Sequence, residues 1–341
     1  MSIQCCHYRL TDTERGRLHD AISNIQYDPS GDIGYITDVR IAAQSALPRR
    51  VVDALSEQRA SLSPRSHLIF DNLPVDEQVF TTPSPGVFSP SCKSGVVSEN
   101  LVIAFASLVG EPYSIFFEGP DIVNNLIPVS SSKKEYTGLG SEVELDFHIE
   151  NAALKCMEGG NFSPLGLVLS GVRQDPHGPS TRLSDARSAL QRLPRETISQ
   201  LMKPAYRIKV PYRWRDSSPN ADAARTGPVP MVGGNPDFPD IHAVFYGDMV
   251  EPLSTQAASA LMEFYREVKA ASIAVDVVPG RLVYIDNRFT LHSRDPFVAA
   301  LDNFGNPLRW VQRSFIAPNL WDHRNLVQIK RRVFLPVEVA T

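Results

Sequence analysis

One stretch constrains this chain more than any other: Val143-Glu144-Leu145-Asp146-Phe147-His148-Ile149-Glu150. Apolar Val143, Leu145, Phe147 and Ile149 alternate with polar Glu144, Asp146, His148 and Glu150. A period of two predicts a β-strand with one face in a core and the other facing something polar. An ordinary exposed strand face carries Thr, Lys and Ser, whereas this one carries three carboxylates and an imidazole. His148 and Glu150, at i and i+2, project to the same side and can share one metal ion. The pattern alone is weak. With 38 acidic residues and eight histidines in 341, roughly one His-x-Asp/Glu match arises by chance. The rest of the chain has to supply a second histidine.

The length suits one large domain or two small ones, with ample chain for a core. A hydrophobic content of 43% and a charged content of 21% are those of an ordinary globular protein. A net charge of −4 gives no electrostatic basis for binding nucleic acid or an anionic membrane. No apolar run approaches the length of a membrane span, and Met1 to Leu10 has no apolar core of signal-peptide type. Cys5, Cys6, Cys92 and Cys156 form neither a disulfide framework nor a zinc pattern. These features together point to the cytoplasm.

Thr11 and Glu14 have capping-box spacing, which predicts a helix to about Ile25. A Gly/Asp/Pro-rich loop from Asp28 to Gly34 and a helix from about Ala46 to Ala60 follow. His67 to Phe70 reads as a short buried strand, 80–98 as a loop, Glu99 to Val109 as a helix, and Tyr113 to Phe117 as a strand. Residues 129–141 are polar and Gly/Ser-rich, either a surface loop or a lid. Beyond Gly159-Gly160, Leu165 to Val172 is expected to be a buried strand. Ser184 to Leu193, with Ser184 as N-cap, and Pro194 to Met202 read as helices. Residues 214–240 read as an insertion loop, and Ser254 to about Ala271 as an amphipathic helix. Ile273 to Val278, a Pro279-Gly280 turn and Arg281 to Ile285 form a hairpin signal. The expected architecture is α+β and mainly β at its core: a single domain, 1–341, with residues 1–100 a mostly helical extension packed on that core.

After Leu282 to Ile285 comes the turn signal Asp286-Asn287 and then His292, 144 residues beyond His148. That separation allows the two histidines to sit on facing strands of a barrel. Two histidines and a carboxylate on one side of a metal, with open positions opposite, is the arrangement of non-haem iron(II) oxygenases. Further on, Arg309, Val311, Arg313 and Phe315 share one strand face. Inward arginines need anions, and a dicarboxylate cosubstrate would satisfy them. Asp146 is either a partner of a ligand histidine or a strand-face carboxylate with no metal role. His7, His19, His67, His177, His242 and His323 have no matching context and are assigned structural or solvent roles.

Phe147-His148-Ile149-Glu150, the run from Val277 to Phe297 and Arg309-Trp310-x-x-Arg313 resemble the clavaminate synthase-like branch of the iron(II)/2-oxoglutarate-dependent oxygenases. That branch includes arginine, asparagine and lysine hydroxylases of natural-product pathways. The resemblance covers roughly residues 100–320. It implies a double-stranded β-helix (jelly-roll) flanked by helices, with His148, Glu150 and His292 as iron ligands. It implies Arg309 and Arg313 as partners of the 2-oxoglutarate distal carboxylate and the substrate carboxylate, in an order left open, and Thr181 as a further contact to 2-oxoglutarate. The cofactors implied are Fe(II), 2-oxoglutarate and O2, with succinate and CO2 as coproducts. A carboxylate at Glu150 argues for hydroxylation, because related halogenases leave that position to a halide.

For the substrate, the family's acidic cluster maps to Asp248 and its amino-group contact to Glu118. A free or carrier-tethered polar or basic L-amino acid is expected, hydroxylated at an unactivated C–H bond. The lone Asp248 departs from the aspartate pair of the family's arginine hydroxylases. Desaturation, cyclisation or epimerisation of a larger metabolite stays open, as does a metal-binding jelly-roll that performs no oxidation.

Overall fold

The computed structural model describes residues 6–83, 90–136, 139–157, 160–211, 214 and 225–336. Cys5, residues 84–89 of the 80–98 loop, Thr137-Gly138, Gly159 and residues 215–224 of the insertion loop lie outside the described residues.

Two sheets organise the chain. The larger runs His7–Arg9, His67–Asp71, Arg281–Asp286, Gly166–Arg173, Trp310–Ala317, Glu111–Ile115, Val333–Leu335 and Val327–Lys330, with Asn124–Leu126 also paired to Trp310–Ala317. The smaller runs Ile273–Val275, Thr181–Asp185, Thr290–Arg294 and Leu145–His148. Leu167, Leu169, Val311 and Arg313 from the first and Leu145, His148, Thr181 and His292 from the second line one cavity. The space between the sheets is therefore where the site is built.

The back of the larger sheet is covered by helices. Asp12–Ile22 opens on the expected capping box: Glu14 N–H donates to Thr11 Oγ1 at 3.2 Å, and Thr11 N–H to Glu14 Oε2 at 2.8 Å. Helix Val97–Val109 is buried on nearly every side, as its almost uninterrupted apolar sequence requires. It joins Phe70, Val168, Leu282, Tyr284 and Ile316 of the sheet to Ile36, Val39, Val51 and Leu55 of two further helices in one apolar cluster. One of these helices, Ile33–Ala46, capped by Asp32, was not expected; the other, Arg49–Ala60, was. Helix Thr255–Ala270 flanks the smaller sheet, capped by Ser254 and burying Ala257, Ala260, Leu261, Phe264 and Val268.

Four local expectations change. Ile273–Val275 and Arg281–Asp286 form no hairpin: the first pairs with Thr181–Asp185 in the smaller sheet, the second with His67–Asp71 and Gly166–Arg173 in the larger. Ser184 caps no helix: it lies in the strand Thr181–Asp185, and Asp185 caps the short helix Ala186–Leu190. Ser184 Oγ instead donates to the Val268 carbonyl at 2.7 Å. The described part of the 214–240 segment contains a hairpin, Val232–Asn235 with Phe238–Ile241. Finally, the alternation of the opening strand breaks. His292 pairs with His148 and Arg294 with Leu145, so three residues on one strand span four on the other. The extra residue is a β-bulge, and it turns Leu145 to the cavity alongside His148.

Candidate metal centre and cosubstrate pocket

His148 ends its strand and Glu150 follows by two residues. The bulge and the next residue aim them. Asn151 adopts the left-handed conformation at φ 52°, which Asn tolerates better than most residues. The Glu150 backbone is pinned from both sides. Its N–H donates to Asn287 Oδ1 at 2.8 Å, and its carbonyl accepts from Ser163 Oγ at 2.8 Å and Asn287 Nδ2 at 3.1 Å. Asn287 itself is held by the buried Lys155 ammonium, which reaches its carbonyl at 3.3 Å and Asp240 at 2.6 Å. The Asp-Asn turn read from sequence thus supports the carboxylate as well as turning the chain.

His148, Glu150 and His292 converge, with ligand atoms all within 4.8 Å of one another and all three residues buried. The two histidines were expected on facing strands; they are directly opposed neighbours in one sheet. His148 Nδ1 lies 2.8 Å from the Asp146 carbonyl, which fixes the ring and leaves Nε2 for a metal. Burial, then the neighbouring His292, push the His148 pKa down to about 3, so the ring is neutral, as a ligand must be. Burial works against the Glu150 charge, but Arg313, His292 and His148 outweigh it and hold the carboxyl well below its usual range. His292 Nδ1 is buried without a partner. Two imidazoles and one carboxylate fit an iron(II) with open positions.

The other carboxylates of the strand turn away. Asp146 accepts from the Tyr265 hydroxyl of helix Thr255–Ala270, and Glu144 lies 3.6 Å from Lys269. Only the Asp146 backbone carbonyl supports a ligand histidine.

The cavity encloses about 860 Å³, its open mouth included, and Glu118, Thr181, Arg309 and Arg313 all line it. Arg313 donates to Glu150 Oε2 at 3.0 Å, Glu118 Oε2 at 2.8 Å and Asn124 Oδ1 at 3.3 Å. Trp214 Nε1 donates to Glu118 Oε1 at 3.2 Å. Arg309 is different. It makes no ion pair among the described residues, and burial lowers its pKa to about 10, with Asp175 opposing. Asp248 is not in the cavity: it is exposed and ion-paired to Lys209, so the expectation that it faces the substrate fails.

Sequence reasoning left several lining residues unassigned. Tyr246 packs edge-on against His148 with centroids 5.2 Å apart, and Tyr136 of the 129–141 segment stacks on Tyr246 at 6.1 Å. Asn151, Ser293 and Arg294 also line the cavity. Arg294 had a signal, standing two residues after His292 on one strand face.

The fold and site together define an iron(II)/2-oxoglutarate-dependent oxygenase, a hydroxylase with Fe(II), 2-oxoglutarate and O2 as its cofactor and cosubstrates. The chain belongs to the family described as taurine catabolism dioxygenase TauD, TfdA, which matches residues 94–315. It is similar to an L-asparagine oxygenase of Streptomyces coelicolor, 27% identical over 280 residues that cover 82% of this chain and 79% of that one. It is also similar to an enduracididine beta-hydroxylase of Streptomyces hygroscopicus, 29% identical, covering 86% and 89%. An L-lysine 3-hydroxylase of Catenulispora acidiphila is 28% identical, covering 80% and 73%. Among solved structures, asparagine oxygenase in complex with Fe(II), 2S,3S-3-hydroxyasparagine and succinate superposes with a TM-score of 0.83 at 22% identity, covering 97% and 99%. The non-heme iron oxygenase OrfP with Fe and alpha-ketoglutaric acid gives 0.78 at 22%, covering 97% and 99%. The three relatives are named for the oxygenation or hydroxylation of amino acids. Among the described residues no helix is long and apolar enough to cross a membrane.

Proposed function

We propose that this chain hydroxylates an unactivated C–H bond of a polar L-amino acid, free or carrier-tethered. The observation that carries the reading is the buried Arg313–Glu118 pair, 2.8 Å apart on the cavity wall and bonded through Arg313 to Glu150. A guanidinium beside a carboxylate is the complement of an α-amino acid: Arg313 takes the substrate carboxylate and Glu118 the amino group. Both then hold Cα next to the metal ligands. Arg309, with no ion pair of its own, takes the distal carboxylate of 2-oxoglutarate, with Thr181 as a second contact. With Asp248 outside, no further fixed anion among the described lining residues faces the substrate side chain. A neutral polar side chain is therefore favoured over a cationic one.

His148, Glu150 and His292 would hold iron(II), which would activate O2 as the oxidant with 2-oxoglutarate as the two-electron co-reductant, one oxygen atom going to succinate and the other to the substrate, and CO2 leaving. The chain's own residues orient and dry the site. Leu126, Leu145, Leu167, Leu169 and Val311 exclude water, and Arg313 keeps Glu150 ionised. We read the two facing sheets as a double-stranded β-helix. We also read 1–341 as one domain, because His7–Arg9 and His67–Asp71 complete the larger sheet. The test is a panel of L-amino acids incubated with Fe(II), 2-oxoglutarate and O2. A neutral polar substrate should give succinate and a product one oxygen heavier in equal amounts. Succinate formation that no amino acid stimulates would overturn the reading.

A further inference from the structure

Arg294 is a buried guanidinium at the cavity with no carboxylate of its own among the described residues. It shares a strand with His292. It donates through Nη1 to the Gly140 carbonyl and through Nη2 to the Val143 carbonyl at 2.8 Å, while Nε has no partner. Those two carbonyls bracket the end of the polar 129–141 segment and the start of the strand that carries His148. Nearby, Phe297 N–H donates to the Ser141 carbonyl at 2.8 Å. The guanidinium of Arg294 lies 5.5 Å from the Phe297 ring centre and that of Arg309 5.7 Å from the same centre. Two guanidiniums, Arg294 buried and Arg309 half-buried, thus approach one aromatic ring, and they repel.

We infer that Arg294 is a positioning residue that couples the 139–143 segment to occupancy of the cosubstrate pocket. The inference rests on the reading that Arg309 takes the 2-oxoglutarate carboxylate. A carboxylate bound at Arg309 offsets the repulsion and lets Arg294 stay on the Gly140 and Val143 carbonyls. The segment is then held, and with it the approach to the His148 strand. Without the anion, the repulsion loosens the same two bonds. Linkage makes the effect reciprocal: whatever factor 2-oxoglutarate adds to the order of the segment, the ordered segment adds to 2-oxoglutarate affinity.

The experiment uses the full chain with Fe(II) under anaerobic conditions, with and without 2-oxoglutarate. Hydrogen exchange is followed at the amides of Ser141 and Glu142, both of which donate to the Lys133 carbonyl. The metal-to-ligand charge-transfer band gives the cosubstrate Kd on the same samples. In the wild type, 2-oxoglutarate should slow exchange there about tenfold or more. In Arg294→Met, exchange should be fast with or without it, and Kd should rise by about the factor of protection lost. Arg294→Lys keeps the charge but cannot bridge both carbonyls, so it should fall between, and it serves if the Met variant does not fold. A purely structural arginine would speed exchange in the variant yet leave the ratio with and without 2-oxoglutarate unchanged, and that result overturns the coupling. So does a wild type that shows the band while exchange at Ser141 and Glu142 stays indifferent. A wild type with no band overturns the 2-oxoglutarate reading itself.

Discussion

The two faces of the strand Trp310–Ala317 are built to opposite rules. Toward helix Val97–Val109, polar groups are matched within the protein. Gln312 Nε2 donates to Glu99 at 2.8 Å, Trp310 Nε1 to Asn125 at 2.8 Å, and Lys93 sits between Glu99 at 2.7 Å and Asp76 at 2.9 Å, all buried. Among the described residues one orphan is left on that face of the strand, Gln312 Oε1. Toward the cavity, Asn151, His292, Ser293, Arg294 and Arg313 each keep a buried polar atom without a partner. Buried unpaired polar atoms are costly. Their concentration on one face marks where ligands supply the missing bonds, and the matched face supplies the stability that tolerates them.

The largest test of this contrast is at the metal. His148→Ala, Glu150→Ala and His292→Ala should each abolish succinate formation while the circular dichroism spectrum and melting temperature stay close to wild type. A variant of the three that keeps wild-type turnover is not a ligand. On the matched face the loss should appear in stability instead. Lys93→Ala strands two buried carboxylates and should lower unfolding free energy by about 3–5 kcal/mol in a urea titration. Its mirror on the cavity face is Arg309→Met. Removing a half-buried guanidinium that makes no ion pair among the described residues should leave stability equal or higher, yet weaken 2-oxoglutarate by about 2–4 kcal/mol in an anaerobic titration. If Arg309→Met destabilises as much as Lys93→Ala, the two faces are not different in kind.

His323 gives a smaller, pH-dependent test. It is buried among Tyr113, Phe162 and Phe334 with neither ring nitrogen partnered, and burial pushes its pKa down to about 4 against an opposing Asp322. A depressed histidine is neutral when folded and takes up a proton on unfolding. Its contribution is therefore full above the unfolded value near 6.5 and is lost progressively as pH falls toward 4, up to about 3 kcal/mol in all. His323→Phe should flatten that part of the stability–pH curve. The smallest expected effect is at Asp248. Asp248→Asn should leave substrate preference and kcat/KM within about twofold, since surface ion pairs contribute little; a changed preference would return this residue to the substrate site.

The convergence of His148, Glu150 and His292 was legible because two separated segments each carried part of a spaced pattern. The helices Asp12–Ile22, Val97–Val109 and Thr255–Ala270 were legible from caps and apolar content. Helix Ile33–Ala46 was missed because exposed Ile33 and Ile41 blur its apolar stripe and its β-branched residues favour strands. The strand Thr181–Asp185, Thr-Arg-Leu-Ser-Asp, carries one apolar residue, and only its pairing with Thr290–Arg294 and Ile273–Val275 makes it a strand. The bulge beside His148 is a property of two strands together, so no single segment announces it. Asp248 failed for a related reason: loop composition does not say which side of a sheet the loop faces.

His148 and His292 stand directly opposite each other although 144 residues separate them in the chain. Closing so large a loop costs chain entropy before the pairing offsets it. An unfolded chain can offer a metal the local pair His148 and Glu150 but not the third ligand. Tight metal uptake through all three side chains would therefore report on the smaller sheet, requiring Thr290–Arg294 to have docked on Leu145–His148.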